Sequence, residues 1–421
     1  MELELGYGDE AQRFVINDKN LMDILVPNVF QKKLTGEEEV RRALLEPIGA
    51  PPLRELVKPG EKIVVVTSDL TRPMPTPKVM PALLDELYAA GVRPEDITLV
   101  FALGNHRKHT EQERRRLAGE RAWTEIACVD SDPTDCVRLG TTKSGTPVDV
   151  FRLVARADRR ICLGNIEYHY FAGYSGGAKA IMPGVSSRDA TQSNHSMMIL
   201  PYACTGRLED NPVRMDIEEA ANLCGVDYIV NVVLDEHKEI IFASAGDVTE
   251  AHRAGCRFLD DMYRKPIANR GDIVIASQGG APKDIDLYQT QKALDNAKHA
   301  VKKGGIIILV GSCKEGLGGK IFETWMLEAK HPRDLIHRVK TSFELGGHKA
   351  AAIALVLEDA DIYLVSDLDP SLVRRIFLTP FATVQDALDA ALRKMGENAQ
   401  VIVMPYAGST LPECQRDSAT Y

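Results

Sequence analysis

A chain of 421 residues exceeds what one hydrophobic core normally supports, so two domains meeting along a cleft are expected, and small molecules bind in such clefts. Hydrophobic residues make up 44% and charged residues 26%, which excludes a disordered chain. With 51 basic against 60 acidic residues the net charge is −9, so there is no overall positive field for nucleic acid or anionic lipid and any anion site must be local.

The first eight residues, Met1-Glu-Leu-Glu-Leu-Gly-Tyr-Gly, lack the basic, apolar, small-residue order of a signal peptide. No apolar run reaches membrane-spanning length, so the cytoplasm is the expected compartment. Short Val- and Ile-rich runs at 63–67, 97–103, 160–164, 272–277, 306–310, 361–365 and 401–404 alternate with helix-like stretches. Strands buried on both faces of parallel sheets have this pattern, so the fold class is α/β, with mainly parallel sheets flanked by helices. Residues 79–90 are amphipathic and Gly91 supplies a helix stop. Residues 228–234 and 239–243, joined by Asp235-Glu-His-Lys, form an expected antiparallel hairpin with His237 solvated at its tip. A helix is expected over 248–263, and the breaker-rich stretch after it puts the domain boundary near residue 267, giving domains 1–267 and 268–421. The cysteines, Cys128, Cys136, Cys162, Cys204, Cys224, Cys256, Cys313 and Cys414, show neither paired nor zinc-like spacing and read as scattered thiols.

In open α/β sheets ligands bind beyond the carboxyl ends of the strands, and four expected strand ends here carry unusual chemistry. The run at 63–67 leads into Ser68-Asp-Leu-Thr-Arg-Pro, in which Arg72 on a proline-stiffened loop suits bidentate capture of a carboxylate or phosphate. A local pair with Asp69, closing the turn, would use the same residues. The next run leads into Gly104-Asn-His-Arg-Lys-His. His106 is placed to face a cleft as a general base, although a strand-end histidine also serves as a structural hydrogen bonder. His109 precedes a helix start and is expected at the surface.

The third strand end begins Gly164-Asn-Ile-Glu-Tyr-His-Tyr-Phe and continues through Gly173-Tyr-Ser-Gly-Gly-Ala-Lys to His195. Gly173, Gly176 and Gly177 suit a nest of amides around an anion, but the segment lacks the Gly-Lys-Ser/Thr ending of a P-loop, which makes nucleoside triphosphate hydrolysis an unfavoured reading. Lys179 lies in the apolar stretch Ala-Lys-Ala-Ile-Met-Pro, where desolvation favours a neutral, nucleophilic amine; a snorkelling lysine would look the same. His106, His169 and His195 could make a three-histidine zinc site, and spacing alone leaves that open. In the second domain Asp286 is an expected N-cap for a helix on which Gln289 and Lys292 share one face, either solvated or turned to an anionic substrate.

Taken together, Ser68-Asp-Leu-Thr-Arg-Pro, Gly104-Asn-His-Arg, Glu167-Tyr-His through Gly173-Tyr-Ser-Gly-Gly-Ala-Lys, Pro183-Gly-Val-Ser-Ser with Asn194-His195, and Tyr288-Gln-Thr-Gln-Lys resemble the lactate racemase family of nickel-pincer enzymes. The resemblance implies a racemase or epimerase of a 2-hydroxy acid. Its cofactor would be a nickel-pincer nucleotide, a pyridinium-3,5-bisthiocarboxylic acid mononucleotide, covalently attached to Lys179. By the same resemblance His195 is the protein's nickel ligand, and Asp69, Gly176, Gly177 and Tyr288 contact the cofactor. His106 and His169 are the acid/base pair, while Arg72, Gln289 and Lys292 bind substrate. The first domain would then bind cofactor and the second add substrate contacts, with the active site in the interdomain cleft. Implied partners are the 2-hydroxy acid and cofactor-maturation proteins, with a homo-oligomer left open and no nucleic acid or membrane. In the stretch Leu345-Gly-Gly-His-Lys, where the family suggests a tryptophan near the substrate side chain, Gly346, Gly347 and His348 are expected to leave room or add a polar contact, favouring a 2-hydroxy acid other than lactate. A non-enzymatic carrier or sensor of the cofactor is the alternative. A nicotinamide-dependent dehydrogenase ranks lower, because no strand leads into Gly-x-Gly-x-x-Gly.

Overall fold

The computed structural model describes residues 1–28, 34–104, 106–235, 237–344 and 346–414. Asn105, Glu236 and Leu345, which fall in the motifs and the hairpin turn read above, lie outside the described residues. All seven apolar runs are strands, and they divide between two sheets in two compact units.

In the unit Phe30–Asp261 a six-stranded sheet has the spatial order Ile240–Gly246, Tyr228–Leu234, Arg159–Asn165, Ile63–Ser68, Ile97–Ala102, Ala127–Asp130. Every neighbouring pair is parallel except the first, which is the expected hairpin. Ile63 through Val66 are all buried, as a strand covered on both faces requires. The helix Thr76–Ala89 lays Val79, Met80, Leu83, Leu84 and Leu87 against Val65, Leu99 and Phe101. Each such side chain, fully buried, contributes about 1.5–3 kcal/mol. The helix ends where the chain turns left-handed at Gly91, with φ +81°. From Ile63–Ser68 the chain builds outward through two strands, then returns to the other side at Arg159–Asn165. Loops leaving those two adjacent strands diverge, and this reversal is where open α/β sheets hold ligands.

The second unit, Met1–Val29 with Met262–Tyr421, carries an all-parallel sheet in the order Thr379–Phe381, Ala360–Val365, Val301–Val310, Gly271–Ser277, Val401–Met404, Leu21–Ile24. The first 28 residues therefore pack with the second sheet, whose C-terminal stretch of chain begins at Met262. Leu21–Ile24 is an edge strand of the second sheet, and the hairpin Glu2–Tyr7 with Glu10–Val15 helps bury Leu5 and Phe14 against Ile273, Ile306 and Val401. The short strands Leu21–Ile24, Ala127–Asp130 and Thr379–Phe381 all lie at sheet edges and contain no fully buried residue, so no apolar run marks them.

The helices Lys320–Glu328 and Gly347–Leu357 correct another expectation. A Cβ at Gly347 would stand 2.3 Å from the Trp325 ring, and one at Gly346 would be 3.3 Å from Ile321 Cβ. Trp325 is buried and its Nε1 donates to Glu344. His348 is also buried, its Nδ1 accepting the Gly346 amide at 2.9 Å. A tryptophan thus fills the space beside Gly347 that the sequence was expected to leave open. Gly347→Ala is expected to overpack this contact and cost about 1–3 kcal/mol, read as a lower urea midpoint; an unchanged midpoint would show that the two helices separate freely.

Candidate active site

The strand Ile63–Ser68 delivers Asp69 into a turn closed by the Arg72 amide on the Asp69 carbonyl. His106 follows Ile97–Ala102, and its Nδ1 lies 2.8 Å from Asp69 Oδ2. Thr71 Oγ1 donates to Asp69 Oδ1 at 2.8 Å. Burial alone would raise the Asp69 carboxyl, but the hydrogen bond and charge of His106, with Thr71 and Arg72, hold it below its ordinary value. An ionised carboxylate only accepts, so His106 carries its hydrogen on Nδ1 and keeps a lone pair on Nε2. Asp69, read above as a cofactor contact, here orients His106. Arg72 is exposed and forms no ion pair with a carboxylate among the described residues, so the local Asp69–Arg72 pair is not made.

His109 is not at the surface. Its side chain is fully enclosed, with Nδ1 at 2.7 Å from Asp130 Oδ1 and Nε2 accepting the Leu70 amide at 3.2 Å. The helix Glu111–Ala118 does begin beside it, capped by Thr110, but the imidazole turns inward to support the Asp69 turn.

After Arg159–Asn165 comes a two-rung ladder, Tyr168 opposite Tyr174 and His169 opposite Gly173, and then a single turn, Gly177–Ala180, that carries Lys179. Gly173 has φ +77° and a Cβ there would meet the Arg207 carbonyl at 2.0 Å. Gly177 has φ +56° and a Cβ would meet the His252 ring at 2.8 Å. These glycines admit close approach by protein. The Gly177 amide donates to Asn231 Oδ1 at 2.8 Å, and the same oxygen fills the Cβ position of Gly176, so the expected anion nest is occupied at this point by Asn231.

Lys179 Nζ stands 3.4 Å from His169 Nε2 and 5.8 Å from the centre of the Phe171 ring. No carboxylate lies within ion-pair distance of it among the described residues. Burial, followed by the charges of Arg214 and Arg72, pushes the amine well below its ordinary value. Burial also pushes His169 well down, reinforced by Lys179, Arg72, His195 and Arg214. His169 Nδ1 accepts the Ala172 amide at 3.3 Å, which leaves its hydrogen on Nε2, facing an amine that can accept it.

His195 lies near the end of the helix Arg188–Ser196, buried, with its ring edge-on to Phe171 at 5.0 Å. Its Nδ1 is 3.0 Å from Asn194 Oδ1. Asn194 Nδ2 donates to Asp216 Oδ2 at 2.8 Å and to the Val213 carbonyl at 3.2 Å, so the amide is oriented and His195 Nδ1 must be the donor. Its lone pair is then on Nε2. The three-histidine zinc site does not assemble: among the described residues no group of three His, Cys, Asp or Glu side chains could hold an ion.

Sequence reading missed the helix Pro212–Cys224, which supports both the His169 segment and His195 through Asn211, Arg214 and Asp216. The available signal was an Arg and an Asp on the face formed by Val213, Ile217, Ala220 and Cys224. It also missed Asp260, which accepts from the Tyr168 and Tyr174 hydroxyls at 2.8 and 2.7 Å. In the other unit Asp286 caps the helix Leu287–Ala297 by accepting the Gln289 amide at 2.7 Å. Gln289 is half-buried and Lys292 exposed there, while the Tyr288 carbonyl accepts from Lys349.

Residues 7–206 match the lactate racemase N-terminal domain and residues 267–411 the lactate racemase C-terminal domain. The chain is 34% identical over 415 residues to the lactate racemase of Thermoanaerobacterium thermosaccharolyticum, covering 96% of this chain and 97% of that protein. It is 33% identical over 416 residues to that of Lactiplantibacillus plantarum, with the same coverage. The structure of the lactate racemase apoprotein from T. thermosaccharolyticum superposes with a TM-score of 0.88 at 33% identity, covering 98% of this chain and 100% of that one. A Thermotoga maritima protein with a TM-score of 0.63 at 20% identity, covering 91% and 100%, shares the fold. With two domain matches and full-length relatives, the chain belongs to the lactate racemase family.

Proposed function

We propose that this protein racemises or epimerises a 2-hydroxy acid, with a nickel-pincer nucleotide attached to Lys179. One observation carries the reading: Lys179 Nζ, with no carboxylate at ion-pair distance among the described residues, stands 3.4 Å from His169 Nε2, and both feel the charge of Arg72, which shares its loop with the Asp69 that orients His106. The residues suit the group. Lys179 supplies a nucleophilic amine for the covalent link. His195, with its Nδ1 on Asn194, would offer Nε2 as one imidazole donor to nickel, the organic ligand giving the others. When bound, the cofactor takes and returns the C2 hydrogen as hydride.

The chain's own residues handle the proton and the carboxylate. Arg72, which forms no ion pair among the described residues, holds the substrate carboxylate. His106 Nε2 accepts the hydroxyl proton of one stereoisomer as C2 becomes planar. When C2 is rebuilt from the opposite face, the His169 Nε2 hydrogen bonds to the forming alkoxide and the proton held by His106 returns to that oxygen, so neither ring has to become an imidazolate. The two rings thus start as complementary tautomers, His106 with its lone pair on Nε2 and His169 with its hydrogen there. Gln289 and Lys292 are the further substrate contacts of this reading, and Tyr288 the further cofactor contact. A cofactor carrier would need Lys179 and His195 but no Asp69–His106 pair, which favours catalysis over carriage. Lactate is the first substrate to test, because the relatives are named for it and the packed Gly346 and Gly347 give no reason to set it aside.

In matured protein, His106→Asn and His169→Asn are each expected to lower racemisation on the order of 10²–10⁴-fold while nickel is retained. Loss of nickel in either variant would instead make that histidine a ligand. Lys179→Ala should abolish racemisation, and a fully active variant would contradict the reading.

The acid–base scheme requires a neutral resting His169, which has a consequence for stability. Burial holds His169 and His252 well below the ordinary value of 6.5 in the folded state. Below that value the unfolded chain binds more protons than the folded one, so stability is full above it and is lost as pH falls. The slope reaches about 1.4 kcal/mol per pH unit for each ring. Urea midpoints measured from about pH 7.5 down to about 5.5 should fall, in a window above the carboxylate titrations. A flat profile would mean that these rings are not held neutral.

A further inference from the structure

We propose that Arg214 is the positioning residue of this site: its guanidinium clasps the main chain on both sides of Gly173 and so holds His169 and Lys179 in place. The inference builds on the active-site reading above. Arg214 is completely buried on the helix Pro212–Cys224. Its Nε donates to the Ala172 carbonyl at 3.1 Å and its Nη2 to the Tyr174 carbonyl, while the buried Nη1 has no hydrogen-bond partner among the described residues. Glu218 Oε1 is 4.0 Å from Nε and is itself taken by Arg253 at 2.7 Å. A guanidinium so enclosed, whose carboxylate partner is 4.0 Å away and shared with Arg253, is costly, and burial lowers its pKa to about 10.

What the arrangement achieves is rigidity of one short segment. Asn211, at the start of the same helix, donates to the Phe171 carbonyl at 2.9 Å, so one helix grips residues 171, 172 and 174. The Arg207 carbonyl fills the Cβ position of Gly173, and Asp260 fastens the Tyr168 and Tyr174 hydroxyls. His169 precedes the gripped residues and Lys179 follows them, so their 3.4 Å separation is set by this segment. Only a planar fork bridges two carbonyls in this way. A lysine offers a point charge and a methionine nothing.

The test uses the apoprotein and measures no racemisation. Lys179 is methylated with formaldehyde and cyanoborohydride, its rate followed by peptide mass, and amide exchange is read across residues 167–179. In Arg214→Met, folded by circular dichroism, methylation of Lys179 is expected to slow about tenfold to a hundredfold and exchange to rise, with Arg214→Lys between it and the parent. Parental rates and exchange in both variants would overturn the proposal. Should Arg214→Met not fold, Arg214→Lys decides by the same two readings. A matured protein lacking an adduct at Lys179 would sink the function proposed above and leave this result standing.

Discussion

A half-buried amine with guanidinium groups nearby and no carboxylate at ion-pair distance among the described residues is pushed well below its ordinary pKa, and the chemistry proposed for this site follows from that constraint at Lys179. A charged lysine there would face the positive fields of Arg214 and Arg72. Neutral, it is a nucleophile and an acceptor for the His169 Nε2 hydrogen. The same surroundings keep His169 neutral, so the residue nearest the amine offers a hydrogen from Nε2.

The supports are as specific as the residues they hold. Asp69 orients His106, the His109–Asp130 pair fixes the Leu70 amide beside Asp69, and the Asp216–Asn194 relay fixes the tautomer of His195. The relay and the clasp on the His169 segment come from one helix, Pro212–Cys224. Movement of that helix would disturb His169 and the proposed metal ligand together.

Much of this was legible in the sequence, for physical reasons. Strands buried on both faces need unbroken Val and Ile, so all seven apolar runs were readable as strands, while the half-exposed edge strands at 21–24, 127–130 and 379–381 carried no such mark. Joining the first 28 residues to the C-terminal sheet is a long-range pairing that local pattern does not encode. Strand-end chemistry pointed to the loops around Asp69, His106, His169 and Lys179. It did not reveal that Asp69 serves His106, that His109 turns inward, or that the glycines yield to Arg207 and His252, because each depends on which distant segment packs there. The room expected at Gly346 and Gly347 was lost for the same reason: Trp325 and Ile321 approach from another helix.

The central claim is that the Lys179 amine carries the cofactor, and the most direct measurement is intact mass with peptide mapping and nickel analysis of protein matured alongside the cofactor-making proteins. A mass addition confined to the Lys179 peptide, with nickel in stoichiometric amount, is the predicted result. Matured protein that interconverts stereoisomers with Lys179 unmodified and no nickel bound would contradict the account.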